Sequence, residues 1–365
     1  MVNIAQVPAA VDEVLAEFFA SNRSTIDAIY PVVAEAGDIL ADFVLSGGKR
    51  VRPLFVFAGW QCGPPPGTGT VGNTEEMALR LGAAIELIQA CALIHDDILD
   101  RSDTRRGQPT VHRQFEATHV ARGFAGDAAH YGVSAAILLG DLALAWADDL
   151  VHGIGPNPNG WAQLEPLPRP VGVLWSQMRT EVLGGQLLDI TNESSGDESV
   201  TAAYRVMEYK TAAYTVARPL QIGAALAGAG ESVLTALRRI GIDLGVAFQL
   251  RDDVLGVFGD PDETGKPSGD DLIEGKRTAL LAEGLQRTSA EGAELLRSHI
   301  GRELSADEIA AARGVLVDSG ALAEVERQID ARLSAALSGI DALDVSDTAR
   351  TDLVAMAHRI THRQR

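Results

Sequence analysis

The sequence has little cysteine, few aromatic residues and a deficit of positive charge. Cys62 and Cys91 are the only cysteines among 365 residues, too few for a disulfide framework and spaced unlike a zinc site. Lys and Arg number 31 against 50 Asp and Glu, and the resulting net charge of −19 repels nucleic acid at long range. We therefore expect no nucleic-acid partner and a reducing, cytoplasmic environment.

Membrane spans and an export signal are not expected either. Hydrophobic residues make up 46% of the chain and charged residues 22%, which is ordinary for a soluble globular protein, so we expect no transmembrane segment. The start, Met1 to Phe19, carries acidic residues, and the first basic residue is Arg23. A signal peptide begins with positive charge, so export is not indicated.

The residue pattern predicts helices rather than strands. Phe, Trp and Tyr together make up only 5% of the residues, and alternating β-branched runs are hard to find, so little is available to build a sheet. Apolar residues recur at helical spacing instead, for example between Glu75 and Asp100. We predict an all-α protein of roughly ten to fourteen helices in a single domain over residues 1–365. Predicted loops are rich in proline or glycine: 61–74, 152–170, 192–199 and 259–275.

Two of the predicted helices end in paired aspartates. Leu93 to Asp100 reads LIHDDILD, and Gln249 to Gly256 reads QLRDDVLG. Asp96 and Asp100 are four residues apart and therefore share one helix face. Carboxylates suit Mg²⁺, which takes one or two of them together with substrate phosphate oxygens. One such cluster could equally be a solvated acidic helix end, but two on apolar helices favour a metal.

Basic residues concentrate beside the first acidic motif. They follow Gly47-Gly48 or come directly after the motif: Lys49, Arg50, Arg52, Arg101, Arg105 and Arg106. Arginine offers a planar fork of donors that matches phosphate oxygens, and lysine a point charge. The alternative is simple charge balance with nearby acids. A carboxylate pair and a basic cluster together predict a site for a metal and a diphosphate.

The order of these motifs resembles that of the trans-isoprenyl diphosphate synthases of the polyprenyl synthetase family. Residues 47–53 resemble GGKRxRP, residues 96–100 the first aspartate-rich motif DDxxD, and residues 105–110 RRGxPT. Further matches follow in the family's order: Gly140-Asp141, GQLLD at 185–189, Lys210-Thr211 and FQLRDD at 248–253. A lone DDxxD is weak evidence, but an ordered set over most of the chain is specific. The resemblance, which is greatest to geranylgeranyl diphosphate synthases, implies an isoprenoid synthase-type bundle around a central cavity.

The resemblance also implies an activity and a cofactor. The activity is head-to-tail condensation of isopentenyl diphosphate with an allylic diphosphate (dimethylallyl, geranyl or farnesyl), by a chain that forms a homodimer. The cofactor is Mg²⁺, with three ions bridging the allylic diphosphate and Mn²⁺ as a possible substitute. The implied metal ligands are Asp96, Asp100 and Asp252, with Asp97 and Asp253 orienting waters.

The other implied roles concern the two substrates. The residues implied for the allylic diphosphate are Arg105, Lys210 and Lys266, and those for isopentenyl diphosphate are Lys49, Arg52, Arg106 and Gln89. Thr211 and Gln249 are implied to stabilise the allylic cation, while Gln186 and Asp189 line the same cavity. Residues 259–275 form a candidate lid over the phosphates, with an acidic solvent loop as the alternative.

Product length is implied to depend on the helix that carries the first acidic motif. Cys91 and Ala92 lie roughly 6–8 Å N-terminal of Asp96 at 1.5 Å per residue, and Ile88, Ala92 and Asp96 form one stripe. Farnesyl-producing relatives often have an aromatic floor where these small side chains lie, so we expect a deeper cavity and geranylgeranyl diphosphate as the main product. Tight helix packing is the alternative for Ala92. Candidates for closing the floor are Ile88, Ile85, Leu142 and Trp146.

Among three departures from the family pattern, the one at Gly256 bears on the second acidic motif, and four alternative functions remain open at this stage. Gly256 stands where many relatives have a third aspartate, and Asp260 is a candidate replacement. The alternatives are a farnesyl or a longer-chain polyprenyl diphosphate synthase, a non-catalytic prenyl synthase subunit and a terpene cyclase. A cyclase needs no isopentenyl site and usually carries a different second metal motif from Asp252-Asp253, and non-catalytic subunits tend to lose their acidic residues.

Overall fold

The computed structural model describes residues 2–64, 75–154, 167–260 and 269–361. These ranges are helical apart from turns and one short hairpin, so the prediction of an all-α protein is confirmed. The chain divides into two compact units: an N-terminal unit, Met1–Phe57 with Gly69–Arg169, and a C-terminal unit, Ala58–Thr68 with Pro170–Arg365. The single domain over residues 1–365 stays a prediction.

The N-terminal unit is built on two long helices packed along each other. Its elements are a 3₁₀ turn (Ile4–Gln6), α1 (Val7–Asp27), α2 (Pro31–Leu45), the first part of α3 (Val51–Gln61), α4 (Glu75–Leu99), β1 (Thr104–Arg105), β2 (Gln108–Pro109), α5 (Val111–Arg122) and α6 (Ala128–His152). Helix α4 packs on α6, and α5 also packs on α6. The acidic C-terminal end of α4 is thereby held at a fixed place in the unit.

Helices α4 and α6 differ in how much of their apolar surface is covered. Both are long and apolar enough to cross a membrane, but 83% of the most apolar window of α4 is buried, against 28% for α6. Helix α4 is therefore a core helix, with Ile85 fully buried and Ile88 3% exposed, as an apolar helix inside a globular unit should be. Helix α6 exposes Ile137 and Leu138. The absence of a transmembrane segment stays a prediction.

The C-terminal unit is assembled around one long helix. Its elements are α7 (Arg169–Ser195, whose first residue belongs to the other unit), α8 (Val200–Val206), a π-helix (Met207–Ala217), α9 (Arg218–Leu226), α10 (Glu231–Phe258), α11 (Asp270–Glu274), α12 (Ala279–Arg287), α13 (Ala290–Ser298), α14 (Ala306–Asp318), α15 (Ala321–Asp341) and α16 (Asp347–Thr361). Helix α10 packs on the π-helix and on α15. Because helices such as α8 and α11 have only one or two turns, there are somewhat more helices than the predicted ten to fourteen.

The core of the C-terminal unit fixes the position of the second acidic motif. Leu250, Val254 and Val257 of α10 are buried in one apolar cluster with Leu272 of α11 and Leu280 of α12. These α10 residues recur at steps of three and four, which gives one apolar face. Asp252 and Asp253 lie within this stretch, so the packing of α10 sets the direction of both carboxylates.

The predicted loops are described only in part. Residues 192–199 contain the end of α7, and Ser199 caps α8 by accepting a hydrogen bond from Ala202 N–H at 3.2 Å. Within 259–275 the described part contains Gly259, Asp260 and the short helix α11. Residues 65–74, 155–166 and 261–268, which hold most of the other predicted loops, lie outside the described ranges.

Candidate active site

The predicted site residues fall into two groups, one in each unit. The N-terminal unit holds Lys49, Arg52, Gln89, Asp96, Asp97, Asp100, Arg105 and Arg106, with the product-length candidates Ile88, Cys91 and Ala92. The C-terminal unit holds Gln186, Asp189, Lys210, Thr211, Gln249, Asp252 and Asp253. Lys266 and the rest of residues 261–268 of the candidate lid lie outside the described residues.

The first acidic motif presents two carboxylates and buries the third. The N–H of Asp100 donates to the carbonyl of Asp96 at 2.8 Å, so the helical turn continues past the end of α4 and these two aspartates share one face. Asp97 is only 1% exposed, and Arg105 donates to its Oδ1 at 2.8 Å. Burial raises the pKa of Asp97, although the hydrogen bond from Arg105 acts in the opposite direction. Asp97 therefore anchors Arg105 beside the exposed pair.

A short hairpin, formed by β1 and β2, contains most of the motif RRGxPT. A hydrogen bond from this hairpin connects it with the motif GGKRxRP. Strands β1 and β2 pair Arg105 with Gln108, and Arg106 at the turn has a positive φ of 53°, as the tight turns that suit twisted strands require. The Nη1 of Arg106 donates to the carbonyl of Gly47 at 2.6 Å. The turn thus places Arg105 at the acidic end of α4 and Arg106 at the glycine turn before α3.

Arg50 differs in role from its basic neighbours. It is 4% exposed and donates to Glu86 and to the carbonyl of Val44, each at 2.7 Å, and to Asp12 at 2.8 Å. These contacts tie α1, α2 and α4 together. For Arg50 the alternative of charge balance is therefore correct, and it is not a candidate phosphate ligand.

Arg106 near the glycine turn is repelled by two other arginines. Burial lowers the pKa of Arg106, and the nearby charges of Arg105 and Arg50 lower it further. Outside glycine, the described residues with positive φ are all arginines of these motifs: Arg50, Arg101 and Arg106. Such backbone conformations cost about 1–3 kcal/mol each and cluster at functional sites. An anion that binds among these arginines reduces their mutual repulsion and so stabilises their charged forms.

The three product-length candidates are not equivalent. Ile88 and Cys91 are 3% and 5% exposed, and Cys91 Sγ lies 3.7 Å from Nδ1 of His95, whose Nε2 lies 3.2 Å from the carbonyl of Ile137 on α6. Cys91 is thus buried against His95, which in turn contacts α6, and burial raises the pKa of the Cys91 thiol to about 12. Ala92 is only half-buried, so it is the candidate whose surface the packing of this unit leaves accessible.

Trp146, a candidate for the floor, packs among aromatic rings. Its ring is edge-on to those of Phe18 and Phe19 on α1, with centroids 5.9 Å away in both cases. Trp146 is 7% exposed. This aromatic group closes the space between α1 and α6, and such edge-to-face pairs add about 0.5–1.5 kcal/mol beyond area burial.

In the C-terminal unit the π-helix carries the predicted lysine and threonine. Lys210 Nζ lies 2.6 Å from Oδ2 of Asp189 on α7, with both side chains about one-third exposed. The helices approach closely because Gly185 has no side chain: a Cβ there would lie 2.4 Å from the backbone nitrogen of Lys210. The glycine and the aspartate of the motif GQLLD therefore act together to place Lys210.

A chain of hydrogen bonds orients the second predicted pair, Thr211 and Gln249. Thr211 Oγ1 donates to Oε1 of Gln249 at 3.0 Å, and Nε2 of Gln249 donates to Asp253 at 2.9 Å. The backbone N–H of Ala279 donates to the other Asp253 oxygen at 3.1 Å. Asp253 is 3% exposed, and its burial raises its pKa to about 7. Asp253 thus fixes the orientation of the Gln249 side-chain amide, and Asp252 is the accessible acid of the pair.

The space opposite Gly256 is filled by an acid of the candidate lid that the sequence pattern did not connect with this glycine. A Cβ on Gly256 would lie 2.0 Å from Oδ2 of Asp271, which is 8% exposed on α11. Asp260, the suggested replacement for the missing aspartate, is exposed beyond the end of α10. Asp271 occurs fifteen positions after Gly256, in a segment predicted as a loop and candidate lid, so no periodic signal could pair them.

The aspartate carboxylates suit a metal ion that binds together with a phosphate-containing ligand. Among the described residues no cluster of three or more His, Cys, Asp or Glu side chains could hold a metal ion by itself. Mg²⁺ needs no such cage, because it keeps waters and takes one or two carboxylates plus phosphate oxygens. Asp97 also has a buried Oδ2 without a hydrogen-bond partner in the described ranges, as expected of an atom that orients bound water. The donors and the arginine forks are those of proteins that bind diphosphates through magnesium.

Comparison with known proteins identifies the family. The Polyprenyl synthetase family model matches residues 34–315, and the chain belongs to this family, which confirms the resemblance. Geranylfarnesyl diphosphate synthase of Aeropyrum pernix is 34% identical over 76% of this chain and 78% of its own length. The (2E,6E)-farnesyl diphosphate synthase of Mycobacterium bovis is 30% identical over 87% and 80%.

The fold is shared with a solved structure over its whole length. Geranylgeranyl pyrophosphate synthase from Corynebacterium glutamicum, crystallised with isoprenyl diphosphate and magnesium, matches 99% of this chain and 100% of that chain. The TM-score is 0.90 and the sequence identity 46%. The similar proteins carry names that differ in product length, so family membership alone leaves that property open.

Proposed function

We propose that the chain is a Mg²⁺-dependent trans-prenyltransferase that condenses isopentenyl diphosphate with allylic diphosphates and makes geranylgeranyl diphosphate as its main product. The observation that carries this proposal is the hairpin between α4 and α5. It holds Arg105 on Asp97 and Arg106 on Gly47, and so sets the cations predicted for two different diphosphates beside the acidic end of α4. Family membership over residues 34–315 supports the same activity.

The metal-binding part of the proposal rests on the accessible acids. Asp96 and Asp100 share one face of the α4 end, and Asp252 is the accessible acid of its pair; these three residues would hold three Mg²⁺ ions, for which Mn²⁺ can substitute. When bound, the metal neutralises charge that develops on the departing diphosphate. Asp97 and Asp253, both buried, fix the neighbouring groups and the waters.

The cationic residues divide between the two substrates. Those proposed for the allylic diphosphate are Arg105, Lys210 and Lys266, and those proposed for isopentenyl diphosphate are Lys49, Arg52, Arg106 and Gln89. Arg105 and Lys210 are each held by an aspartate at 2.6–2.8 Å, so they are positioned before substrate binds, which lowers the entropy cost of binding.

Thr211 and Gln249 supply the dipoles that an allylic cation needs. Because Asp253 accepts from the Gln249 amide, the Gln249 oxygen is left to accept from Thr211. The Thr211 hydrogen is thereby engaged, and its oxygen lone pairs are left for the cation. Gln186 and Asp189 line the same site. Attack by the isopentenyl double bond and loss of a proton then lengthen the chain by one isoprene unit.

We place the protein in the cytoplasm as a homodimer. Both cysteines are free and buried, as in a reducing compartment. The homodimer is supported by exposed apolar residues: Val120 on α5, Phe124 in the connection to α6, and Ile137 and Leu138 on α6. An uncovered apolar surface of this kind on a globular chain is typical of an interface.

The proposed metal sites predict a strict metal requirement. Removal of Mg²⁺ with EDTA should abolish prenyl transfer, and Asp96→Ala or Asp252→Ala should each lower turnover by about 10²–10³-fold, because one electrostatic contact to the transition state is lost. Folding should survive, as circular dichroism would show. Asp330→Ala, an exposed acid on α15, is the matched control and should behave like the wild type. Full activity in EDTA or in either aspartate variant would contradict the assignment.

The division of the cations predicts different effects on the two substrates. Arg52→Ala should mainly raise the KM for isopentenyl diphosphate, whereas Lys210→Ala should mainly raise the KM for the allylic diphosphate, because each removes a contact to one substrate. Steady-state kinetics with each substrate varied in turn measures both constants. Equal effects of both variants on both substrates would show that the division is wrong.

The burial of α4 predicts which substitution shortens the product. Ala92→Phe should shift the main product from twenty carbons toward farnesyl diphosphate without abolishing the first condensations, because the diphosphate contacts are untouched. Cys91→Phe should shorten it less and destabilise the fold more, since overpacking the contact between α4 and α6 costs about 1–3 kcal/mol. Product chromatography and thermal unfolding decide. A wild type that stops at fifteen carbons, or an unchanged product from Ala92→Phe, would place the floor elsewhere.

The exposed surface of α6 predicts a dimer that one charge can break. Light scattering should give about twice the chain mass of 38.6 kDa. Leu138→Glu should halve it, because Leu138 is 69% exposed and a charge at the centre of an apolar interface is costly. Val317→Glu, at a 51% exposed valine on α14, is the control. A monomeric wild type, or a Leu138→Glu variant that stays dimeric, would exclude this surface.

A further inference from the structure

The π-helix is unusually long and carries two of the residues on which the proposed function depends. Residues 200–226 form one continuous helical run, in which the eleven residues Met207–Ala217 have π geometry. π-Helices are rare and mostly only single-turn bulges, so this stretch needs support from its surroundings. Lys210 and Thr211 lie near its start. Whatever holds the π-helix in place therefore also positions these two side chains.

The contacts at the start of the π-helix are made by the site residues themselves. Lys210 pairs with Asp189 at 2.6 Å, and Thr211 bonds to Gln249 at 3.0 Å. On the proposed function, an allylic diphosphate competes with Asp189 for Lys210 during turnover. Support that persists throughout the reaction must come from another part of the helix.

The end of the π-helix is closed by Arg218. Its backbone N–H donates to the carbonyl of Ala213, which is an i to i+5 bond. Its side chain is 6% exposed and donates to both oxygens of Glu181 on α7, at 2.7 and 2.5 Å, and to Oε1 of Gln221 at 3.0 Å. Two-pronged arginine–carboxylate pairs are among the strongest and most directional hydrogen-bonded contacts in proteins. One residue thus ends the π geometry and fastens it to α7.

The two ion pairs between α7 and this helical run have matching spacing. Glu181 and Asp189 are eight positions apart on α7, which is about 12 Å of helix, and their partners Arg218 and Lys210 are also eight positions apart in the reverse order. The pairs therefore mark the two ends of one antiparallel contact. The inner pair, Lys210 with Asp189, includes the proposed substrate ligand. The outer pair, Arg218 with Glu181, includes no group that the proposed function uses.

We propose that Arg218 and Glu181 are positioning residues that keep Lys210 in place for the allylic diphosphate. This inference rests on the proposed function. Without the outer pair, the segment can relax toward i to i+4 bonding, which winds the helix more tightly and turns Lys210 away from its position. The fold should survive the loss of the Arg218 guanidinium. Arg238 has a nitrogen 3.7 Å from Glu181, so the Glu181 carboxylate would still lie beside a positive charge.

The experiment uses conservative variants of the full-length protein. Arg218→Lys keeps the positive charge but loses the two-pronged hydrogen bonding of the guanidinium. Glu181→Gln keeps the shape of the side chain but loses its negative charge. Arg218→Lys should unfold near the wild-type temperature, whereas Glu181→Gln should still fold but unfold at a lower temperature, because the buried Arg218 loses its carboxylate partner. Each variant should raise the KM for the allylic diphosphate on the order of tenfold, with the KM for isopentenyl diphosphate unchanged. Arg332→Lys is the matched control, since it alters a 2.7 Å ion pair with Asp243 between α15 and α10 and should change neither constant.

A double-variant cycle separates positioning from general stability. In a Lys210→Ala background, Arg218→Lys should have little further effect on the allylic KM, because it acts through the missing lysine. Additive effects, or an unchanged allylic KM in both folded single variants, would overturn the inference.

Binding measurements keep the inference separate from the proposed function. If the wild type transfers no prenyl group, the proposed function fails on its own. The positioning role is then decided by the affinity of the same proteins for inorganic diphosphate with Mg²⁺, measured by calorimetry. Weaker binding in Arg218→Lys but not in Arg332→Lys supports the role, and equal binding by these two variants rejects it.

Discussion

Charges removed from water must find partners, and this constraint organises both units. Arg50, Asp97 and Arg218 are each at most 6% exposed, and each is bound by an opposite charge from another element. Breaking such a pair leaves an uncompensated buried charge, at a cost of about 3–5 kcal/mol. Each pair therefore acts as a cross-link whose geometry is enforced by electrostatics. Arg50 and Asp97 are sequence neighbours of the predicted site residues Lys49 and Asp96.

In each pair of adjacent aspartates, one side chain is buried and holds its surroundings, and the other remains accessible. In Asp96-Asp97 and Asp252-Asp253 the second member is 1% or 3% exposed and the first remains accessible. On a helix, successive side chains point about 100° apart, so one acid can face the interior while its neighbour faces ligand. The inner acids accept hydrogen bonds from Arg105 and from Gln249. On the proposed function, each doubled aspartate combines a metal ligand with a buried acid that holds the surrounding groups in place.

Much of the fold and the two residue groups could be predicted from the sequence, because they depend on local signals. The scarcity of aromatic and β-branched patterns predicts helices, and the stripe containing Ile85 and Ile88 lies in the core. The roles of Arg50 and Asp271 could not be predicted. Arg50 is structural because Glu86, thirty-six positions away, lies 2.7 Å from it, and no local pattern reports a contact between such distant positions.

The π-helix was missed for a related reason. Residues 207–217 have ordinary helical composition, and nothing in their apolar spacing distinguishes i to i+5 bonding from i to i+4. The deciding contacts come from other helices, through the close approach at Gly185 and the fork of Arg218 on Glu181. Tertiary packing here selects a backbone geometry that intrinsic propensity alone does not favour.

Gly256 bears on how this chain should be compared with its relatives or redesigned. The resemblance to the family's second aspartate-rich motif suggests an aspartate at position 256, and a redesign guided by that motif would introduce one. In this chain a side chain at position 256 would begin 2.0 Å from an oxygen of Asp271, so the restored acid and the existing one would compete for one volume and repel each other. Positions 256 and 271 have to be changed together, because the Asp271 carboxylate occupies the space that a side chain at position 256 would need.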